Sequence, residues 1–405
     1  MARLLYMVEH FPPEMSTGRL EFELSQELIK RGHTVTIVTS FPRPYFLESP
    51  YPNKGRFVYW ERLSGLRVAR MGPEFSERDN LFMRGLEYFL SFFSFFVGGL
   101  ISGPVDVILC TTPPITHAFA ASLLGKLTRR RVITRVVDVH PRALLELGFL
   151  RQGTIYQILR LMEKLVYRNT ACLTTISNGL GRNIVEAGAT PEKVVIVPNW
   201  GSAEGFHVSE RPVSLPPRVA GKFLVTYAGI MSWPQDLETI VDAAARLRNE
   251  KGIHFLLVGD GPQHELLVEK SKKLRLENLD FVPLQPKQEY LRILHASHVC
   301  IVSLKKEMVS LSFPSKMLDI MACGRSVLAN VPTGEIVDVV KDANCGLSVE
   351  PQKPDDFAEA VLKLYRSPDM AERMGRNGLE YMKQHFTVEA AADRYEKIVE
   401  RLTKH

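Results

Sequence analysis

The sequence predicts an α/β chain built from two doubly wound, Rossmann-like units. Two observations carry this: short runs rich in Val, Ile and Leu alternate with helical patterns, and the alternation starts afresh midway along the chain. In the first half the runs are 4–8, 35–39, 105–110, 132–137, 173–176 and 194–197. In the second they are 223–228, 255–258, 279–282, 299–304 and 326–329. Periodicity disappears over 200–217, where Pro, Ser and Gly cluster, so the linker belongs within 198–222. The expected division is a first unit over 1–205, a second over 206–385, and a terminal helix in 386–405 that crosses back over the first unit. A cleft between the units, facing the carboxyl ends of both sheets, is the expected ligand site.

With 405 residues, 45% hydrophobic and 24% charged, the chain can bury two separate cores. Residues 1–200 hold 24 Lys and Arg against 17 Asp and Glu (24 − 17 = +7), whereas the remainder holds 27 against 28 (27 − 28 = −1). The basic first half suits an anionic partner, either a phosphate-bearing acceptor or an anionic membrane surface. Nucleic acid is disfavoured, because the cations are scattered and the run Arg129-Arg130-Arg131 is short. The five cysteines are odd in number, far apart and free of any Cys-x-x-Cys pair, which argues against a disulfide framework or structural zinc. No secretory leader pattern precedes the strand-like run 4–8. A cytoplasmic, reducing location is expected.

Several strand ends open into loops suited to phosphate. Phe11-Pro12-Pro13-Glu14-Met15-Ser16-Thr17-Gly18 feeds a helix expected from about Arg19, where backbone N–H groups can meet an anion. Equally, Gly18 can simply permit a positive φ in an ordinary turn. The loop is not Gly-x-Gly-x-x-Gly, so a dinucleotide cofactor is disfavoured. Gly229 to Ser232 and Gly259-Asp260-Gly261-Pro262 are further candidates, the latter also readable as a tight turn. The most informative segment is Ser310 to Gly324. Ser312 is the candidate N-cap, Pro314 fits the first turn, and Lys316 and Asp319 share one helical face. There Ser315, Lys316 and the helix start can neutralise a diphosphate while Asp319 accepts ribose hydroxyls. The alternative is a surface Lys–Asp pair on a capped helix.

Phe11-Pro12-Pro13-Glu14, Leu28-x-x-Arg31-Gly32-His33, Thr112-Pro113-Pro114, Asp138-Val139-His140-Pro141, Val197-Pro198-Asn199-Trp200, Gly259-Asp260-Gly261-Pro262 and Pro314-Ser315-Lys316 through Gly324 occur in this order along nearly the whole chain. In that order and spacing the sequence resembles the retaining glycosyltransferase family 4, with the GT-B fold. The likeness is to members that transfer aminosugars in bacterial O-antigen and capsule synthesis. The resemblance implies a nucleotide-sugar donor held by the second unit, with Asp319 as the ribose ligand. It also departs from the family at three places: the first carboxylate of the acidic motif falls at Leu311, the usual basic pair at Ile230 and Gln235, and the usual His at Thr111 and Thr112. Lys316 is then the candidate for the missing cation, with Glu307 or Ser312 as sugar contacts. Glu14, Thr112, Asp138 and His140 are expected on the acceptor side, although Asp138 and His140 can equally be loop-structuring residues. Asn199 is expected to hydrogen-bond within the linker.

Residues 86–101 form an unusually aromatic helix, too short to span a bilayer. It either lies in a membrane interface, bringing the chain to a lipid-linked saccharide acceptor, or packs against the sheet. The resemblance implies transfer of a sugar, an N-acetylaminosugar carried by UDP, with retention of configuration. No metal or other cofactor is expected, since Lys316 and helix starts stand in for a cation and no Asp-x-Asp occurs. Two alternatives share the fold: a nucleotide-sugar 2-epimerase and a non-catalytic nucleotide-sugar binding protein.

Overall fold

The computed structural model describes residues 1–13, 15–42, 57–72, 81–146, 150–201, 203–206, 215–308 and 314–404. They divide into two compact units, Met1–Asn199 with Val388–His405, and Trp200–Thr387. The division thus falls at Asn199/Trp200 rather than after 205, and the return at Thr387/Val388 rather than after 385.

The first unit begins with β1 (Arg3–Val8), α1 (Met15–Lys30), β2 (Thr34–Ser40), β3 (Val58–Leu63), β4 (Leu66–Met71), α2 (Leu81–Ile101), β5 (Val107–Thr112) and α3 (Ile115–Thr128). It continues through β6 (Arg131–Val136), α4 (Arg142–Glu146), α5 (Thr154–Asn169), β7 (Cys172–Thr175), α6 (Asn178–Glu186) and β8 (Val194–Ile196). The sheet order is β3-β4-β2-β1-β5-β6-β7-β8, parallel throughout except for the β3–β4 pair. Its central strands β1 and β5 are buried almost end to end because helices cover both faces, which is why they read as unbroken apolar runs.

The β3–β4 hairpin is absent from the sequence expectation. Its turn is Ser64-Gly65, with φ of 48° and 85°, the two left-handed residues that a tight hairpin turn requires. β3 is half-buried along most of its length, so it lacks the apolar run that marked the other strands.

Along one stripe the aromatic helix packs on the sheet and on α3. Its inner stripe, including Phe95, Gly98 and Gly99, is buried, with Phe95 stacked on His117 of α3 at 3.6 Å. A Cβ on Gly99 would stand 2.3 Å from Leu124 Cδ2, so the glycine leaves room for that side chain of α3. Its outer stripe is exposed. Among the described residues no helix is long and apolar enough to cross a membrane.

The second unit contains β9 (Phe223–Ala228), α7 (Leu237–Arg246), β10 (Ile253–Val258), α8 (His264–Lys273), β11 (Leu279–Val282), α9 (Lys287–Ala296) and β12 (Val299–Ser303). After these come α10 (Ser315–Ala322), β13 (Ser326–Asn330), α11 (Glu335–Asp342), β14 (Gly346–Val349), α12 (Pro354–Tyr365) and α13 (Pro368–His385). The order β11-β10-β9-β12-β13-β14 is wholly parallel and reverses direction at β9/β12. Loops leaving the carboxyl ends of β9 and β12 therefore diverge, opening a crevice.

The last helix, α14 (Val388–Thr403), belongs to the first unit and packs on α1. Arg31, just past α1, reaches Asp393 at 2.5 Å, Glu396 at 2.9 Å and the Glu389 carbonyl at 3.1 Å. Tyr395 is buried, its hydroxyl 3.0 Å from Thr174 Oγ1 on β7. Tyr395→Ala should lower the stability of the first unit by about 3–5 kcal/mol, the usual scale for deleting a buried ring, read as a shifted urea midpoint.

Candidate functional site

At the carboxyl ends of β9 and β10 two glycine loops are pressed together backbone to backbone. Gly229, Gly259 and Gly261 have φ of 147°, 139° and 150°, a region that side chains rarely adopt. A Cβ on Gly259 would stand 2.0 Å from the Gly229 carbonyl oxygen, and one on Gly261 would stand 2.5 Å from that of Met231. The loops are stitched by Met231 N–H to the Asp260 carbonyl at 2.8 Å and Gln263 N–H to the Met231 carbonyl at 3.0 Å. Ser232 donates its hydroxyl to Gln235 Oε1 at 2.6 Å, and the Gln263 amide reaches the Ser232 carbonyl. Ser232 and Gln235 are thus used inside the loop: Gln235 braces the turn rather than supplying charge.

Lys316, in the first turn of α10, points at this floor. Its Nζ donates to Tyr227 Oη at 2.9 Å and lies 4.4 Å from the centre of that ring. Tyr227 Oη in turn donates to the Ile230 carbonyl at 2.7 Å. A Cβ on Gly229 would stand 3.0 Å from Lys316 Nζ, so the glycine leaves the ammonium room. Among the described residues no carboxylate pairs with Lys316, and burial pulls its ammonium down to about 8. Asp319, one turn on, pairs instead with Lys287 of α9 at 2.7 Å and bonds the Tyr290 hydroxyl, whose own ionisation burial and Asp319 both oppose. The two residues therefore do not form the surface Lys–Asp pair that the sequence left open.

The start of α10 differs from expectation. Its N-cap is Pro314, with no side chain capping the first turn, and Ser315 is exposed. Ser312, expected as the cap, and Leu311 lie outside the described residues. Glu307 is exposed in the turn after β12. Nearby, Lys305 lies 5.4 Å from the exposed Trp233 ring.

In the first unit, Asp138 and His140 follow β6. Asp138 accepts its neighbour Val139 N–H at 2.8 Å while its other oxygen lies 3.8 Å from His140 Nε2. Burial lowers the His140 imidazole below its ordinary range, with Asp138 opposing the shift. Thr112, at the end of β5, is buried, and its Oγ1 has no hydrogen-bond partner among the described residues. Glu14 lies outside the described residues. Gly18 requires a correction: it sits inside α1 rather than before it, and its φ is not positive. What it supplies is closeness, because a Cβ there would stand 2.7 Å from Phe11 Cα. Asn199 accepts from Arg135 at 2.5 Å, a structural role.

Two buried arginines escaped the sequence reading. Arg70 is 1% exposed, pairs with Glu61 at 2.7 Å and donates to the Pro12 carbonyl, holding the loop after β1. Arg135 pairs with Glu21 of α1 at 2.9 Å. The available signal was an arginine inside an otherwise mostly apolar strand.

Comparison with known proteins places both halves of the chain. Residues 216–381 match the family described as Glycosyl transferases group 1, and residues 22–200 match the Glycosyl transferase 4-like domain. The Escherichia coli (strain K12) protein WcaI, named as a colanic acid biosynthesis glycosyl transferase, is 26% identical over 80% of this chain and 82% of its own. The N-acetyl-alpha-D-glucosaminyl L-malate synthase of Bacillus anthracis is 22% identical over 96% of this chain and 94% of its own. Among solved structures, sucrose-phosphate synthase from Thermosynechococcus elongatus superposes with a TM-score of 0.68 at 18% identity, covering 100% of both chains. Anabaena HepE in complex with UDP does so at 0.66 and 13% identity, covering 98% of this chain and 100% of its own. At these identities the structural likeness is one of fold.

Gly259→Ala should destabilise the second unit by about 2–3 kcal/mol, since it combines a strained φ with a backbone clash; thermal unfolding measures this. Lys316 gives a pH signature. Between pH 8 and its ordinary value of 10.5, the unfolded chain keeps a proton that the folded chain has released, so stability from this group rises with pH. Urea titrations of the wild type and Lys316→Met should therefore show the wild type gaining relative to the variant between about pH 7 and about pH 9.5.

Proposed function

We propose a particular transfer for this chain, which belongs to glycosyltransferase family 4 and carries the GT-B fold. It moves an N-acetylaminosugar from a UDP-sugar to a hydroxyl of a lipid-linked saccharide in cell-surface polysaccharide synthesis, with retention of configuration. The observation that carries the donor assignment is Lys316, a half-buried ammonium without a carboxylate partner among the described residues, facing a floor of glycine backbone. A cation so placed is stabilised by an anionic ligand, and a diphosphate with Lys316 and the start of α10 around it meets that need. UDP in the Anabaena HepE complex supports the base, the glucosaminyl and colanic acid names of the relatives support the sugar class and the setting.

In this reading the bond between the anomeric carbon and the β-phosphate oxygen breaks while the acceptor oxygen bonds the same face of that carbon. The departing phosphate oxygen takes the acceptor proton, and Lys316 stabilises the charge left on the diphosphate. Asp319, paired with Lys287, accepts the ribose hydroxyls. Asp138, His140 and Thr112 serve the acceptor side. No metal takes part, so EDTA leaves the rate unchanged.

Lys316→Met should reduce kcat/KM for the donor by about a hundredfold, on the scale of removing one preorganised charge from a leaving group. Asp319→Ala should weaken UDP binding by about tenfold through lost hydroxyl contacts. Isothermal titration with UDP and initial rates with lipid-linked saccharides check both. Unchanged binding and rate in both variants would overturn the assignment, and turnover of UDP-N-acetylglucosamine without an acceptor would mark an epimerase. Wild-type donor affinity should fall as pH rises through about 8, where Lys316 loses its charge.

A further inference from the structure

Three helices of the first unit, α2, α3 and α5, form a contiguous layer, α2 packing on α3 and α3 on α5. Each shows water an apolar stripe. On α2 these are Phe89, Phe93, Val97 and Leu100, spaced one turn apart. Phe89 and Phe93 meet edge to face at 5.2 Å, and Phe89 is 58% exposed. On α3 the stripe is Leu123 and Leu127, the latter 65% exposed; on α5 it is Ile155, Ile158 and Leu161. A soluble surface rarely gathers this many large side chains into one layer.

The stripes run into cations. The exposed line on α5 continues from Leu161 to Lys164 and Arg168, and that on α3 runs into Lys126, Arg129 and Arg130. Arg129, Arg130, Arg131, Arg168 and Arg401 line a groove of about 1100 Å³ at the amino-terminal edge of the sheet. The carboxylates there are Asp106 and Glu192, and Asp106 is already held by Arg3 at 2.6 Å. The groove is therefore strongly positive.

We infer that this helix layer and its basic edge dock the chain peripherally on an anionic lipid bilayer, the apolar tips entering the acyl boundary and the arginines meeting headgroup phosphates. Either half alone has other occupants: an apolar layer suits a second copy of the chain, and a basic groove suits any polyanion. Their continuity along α3 and α5 favours a surface that is apolar below and anionic above. The aromatic helix that stood out in the sequence is then one third of a larger face. The inference is independent of the transfer reaction proposed above.

The test is co-sedimentation of the full chain with vesicles of phosphatidylcholine alone and of phosphatidylcholine with about a third phosphatidylglycerol. The chain should partition onto the anionic vesicles and release at high salt. Lys126→Glu with Arg130→Glu should lower the partition coefficient by more than about tenfold, each surface cation near an anionic membrane contributing severalfold. Ile158→Ser with Leu161→Ser should lower it by about tenfold through lost apolar insertion. All four positions are exposed, and circular dichroism and UDP titration should match the wild type, separating loss of docking from loss of the donor site. Absence of wild-type binding, or binding that neither pair weakens, overturns the inference. So does a dimer dissolved by the α5 pair without vesicle binding, which assigns the layer to a second copy.

Discussion

The second unit depends on one close approach: the backbone of Gly229 lies so near that of Gly259 that no Cβ fits between them. Three residues at positive φ remove side chains from the carboxyl ends of β9 and β10 and leave a floor of peptide groups. Tyr227 stands beneath that floor, tied to the Ile230 carbonyl, and offers Lys316 both a hydroxyl and a ring face. The ammonium is thus located by neutral groups. Were a carboxylate its anchor, its charge would be spent before any ligand arrived.

That contrast separates Lys316 from the buried arginines of the first unit. In the first unit the buried cations are structural: Arg70 is matched by Glu61 and Arg135 by Glu21, and each also holds a loop or linker atom. Burying such a charge is tolerated because a partner and hydrogen bonds offset the lost water. Lys316 is half-buried and lacks the carboxylate. Asp319 is the converse, an acidic group that pairs with Lys287 of α9 at 2.7 Å. Among the described residues of α10, Lys316 is therefore the charge left without an opposite partner.

Much of this was legible in the sequence, and the exceptions share a cause. Doubly covered strands must be apolar throughout, so both sheets announced themselves as repeated runs. The β3–β4 hairpin and the edge strand β14 did not, because β3 and β14 are half-exposed and carry no sustained apolar run. Gly18 was visible as a glycine, but its reason, the backbone of Phe11, was not. Likewise α10 itself was readable from local signals though its cap was not, and no spacing rule links Tyr227 to Lys316 or Lys287 to Asp319. Spacing rules act along a helix or strand; these partners meet across elements.

The placement of α14 bears on the order of folding. Its Tyr395 and the carboxylates that grip Arg31 complete a unit whose other strands end at Ile196. During synthesis the second unit, contiguous in sequence, emerges whole while the first still lacks its last helix. The first unit is thus completed only after the second has been made, and closing it requires a contact between Arg31 and Asp393, 362 residues apart, a loop whose entropy cost grows only slowly with its length. A nascent chain would carry an uncovered α1 surface until the ribosome had delivered the final turns, which marks that interval as the stage most exposed to misassociation.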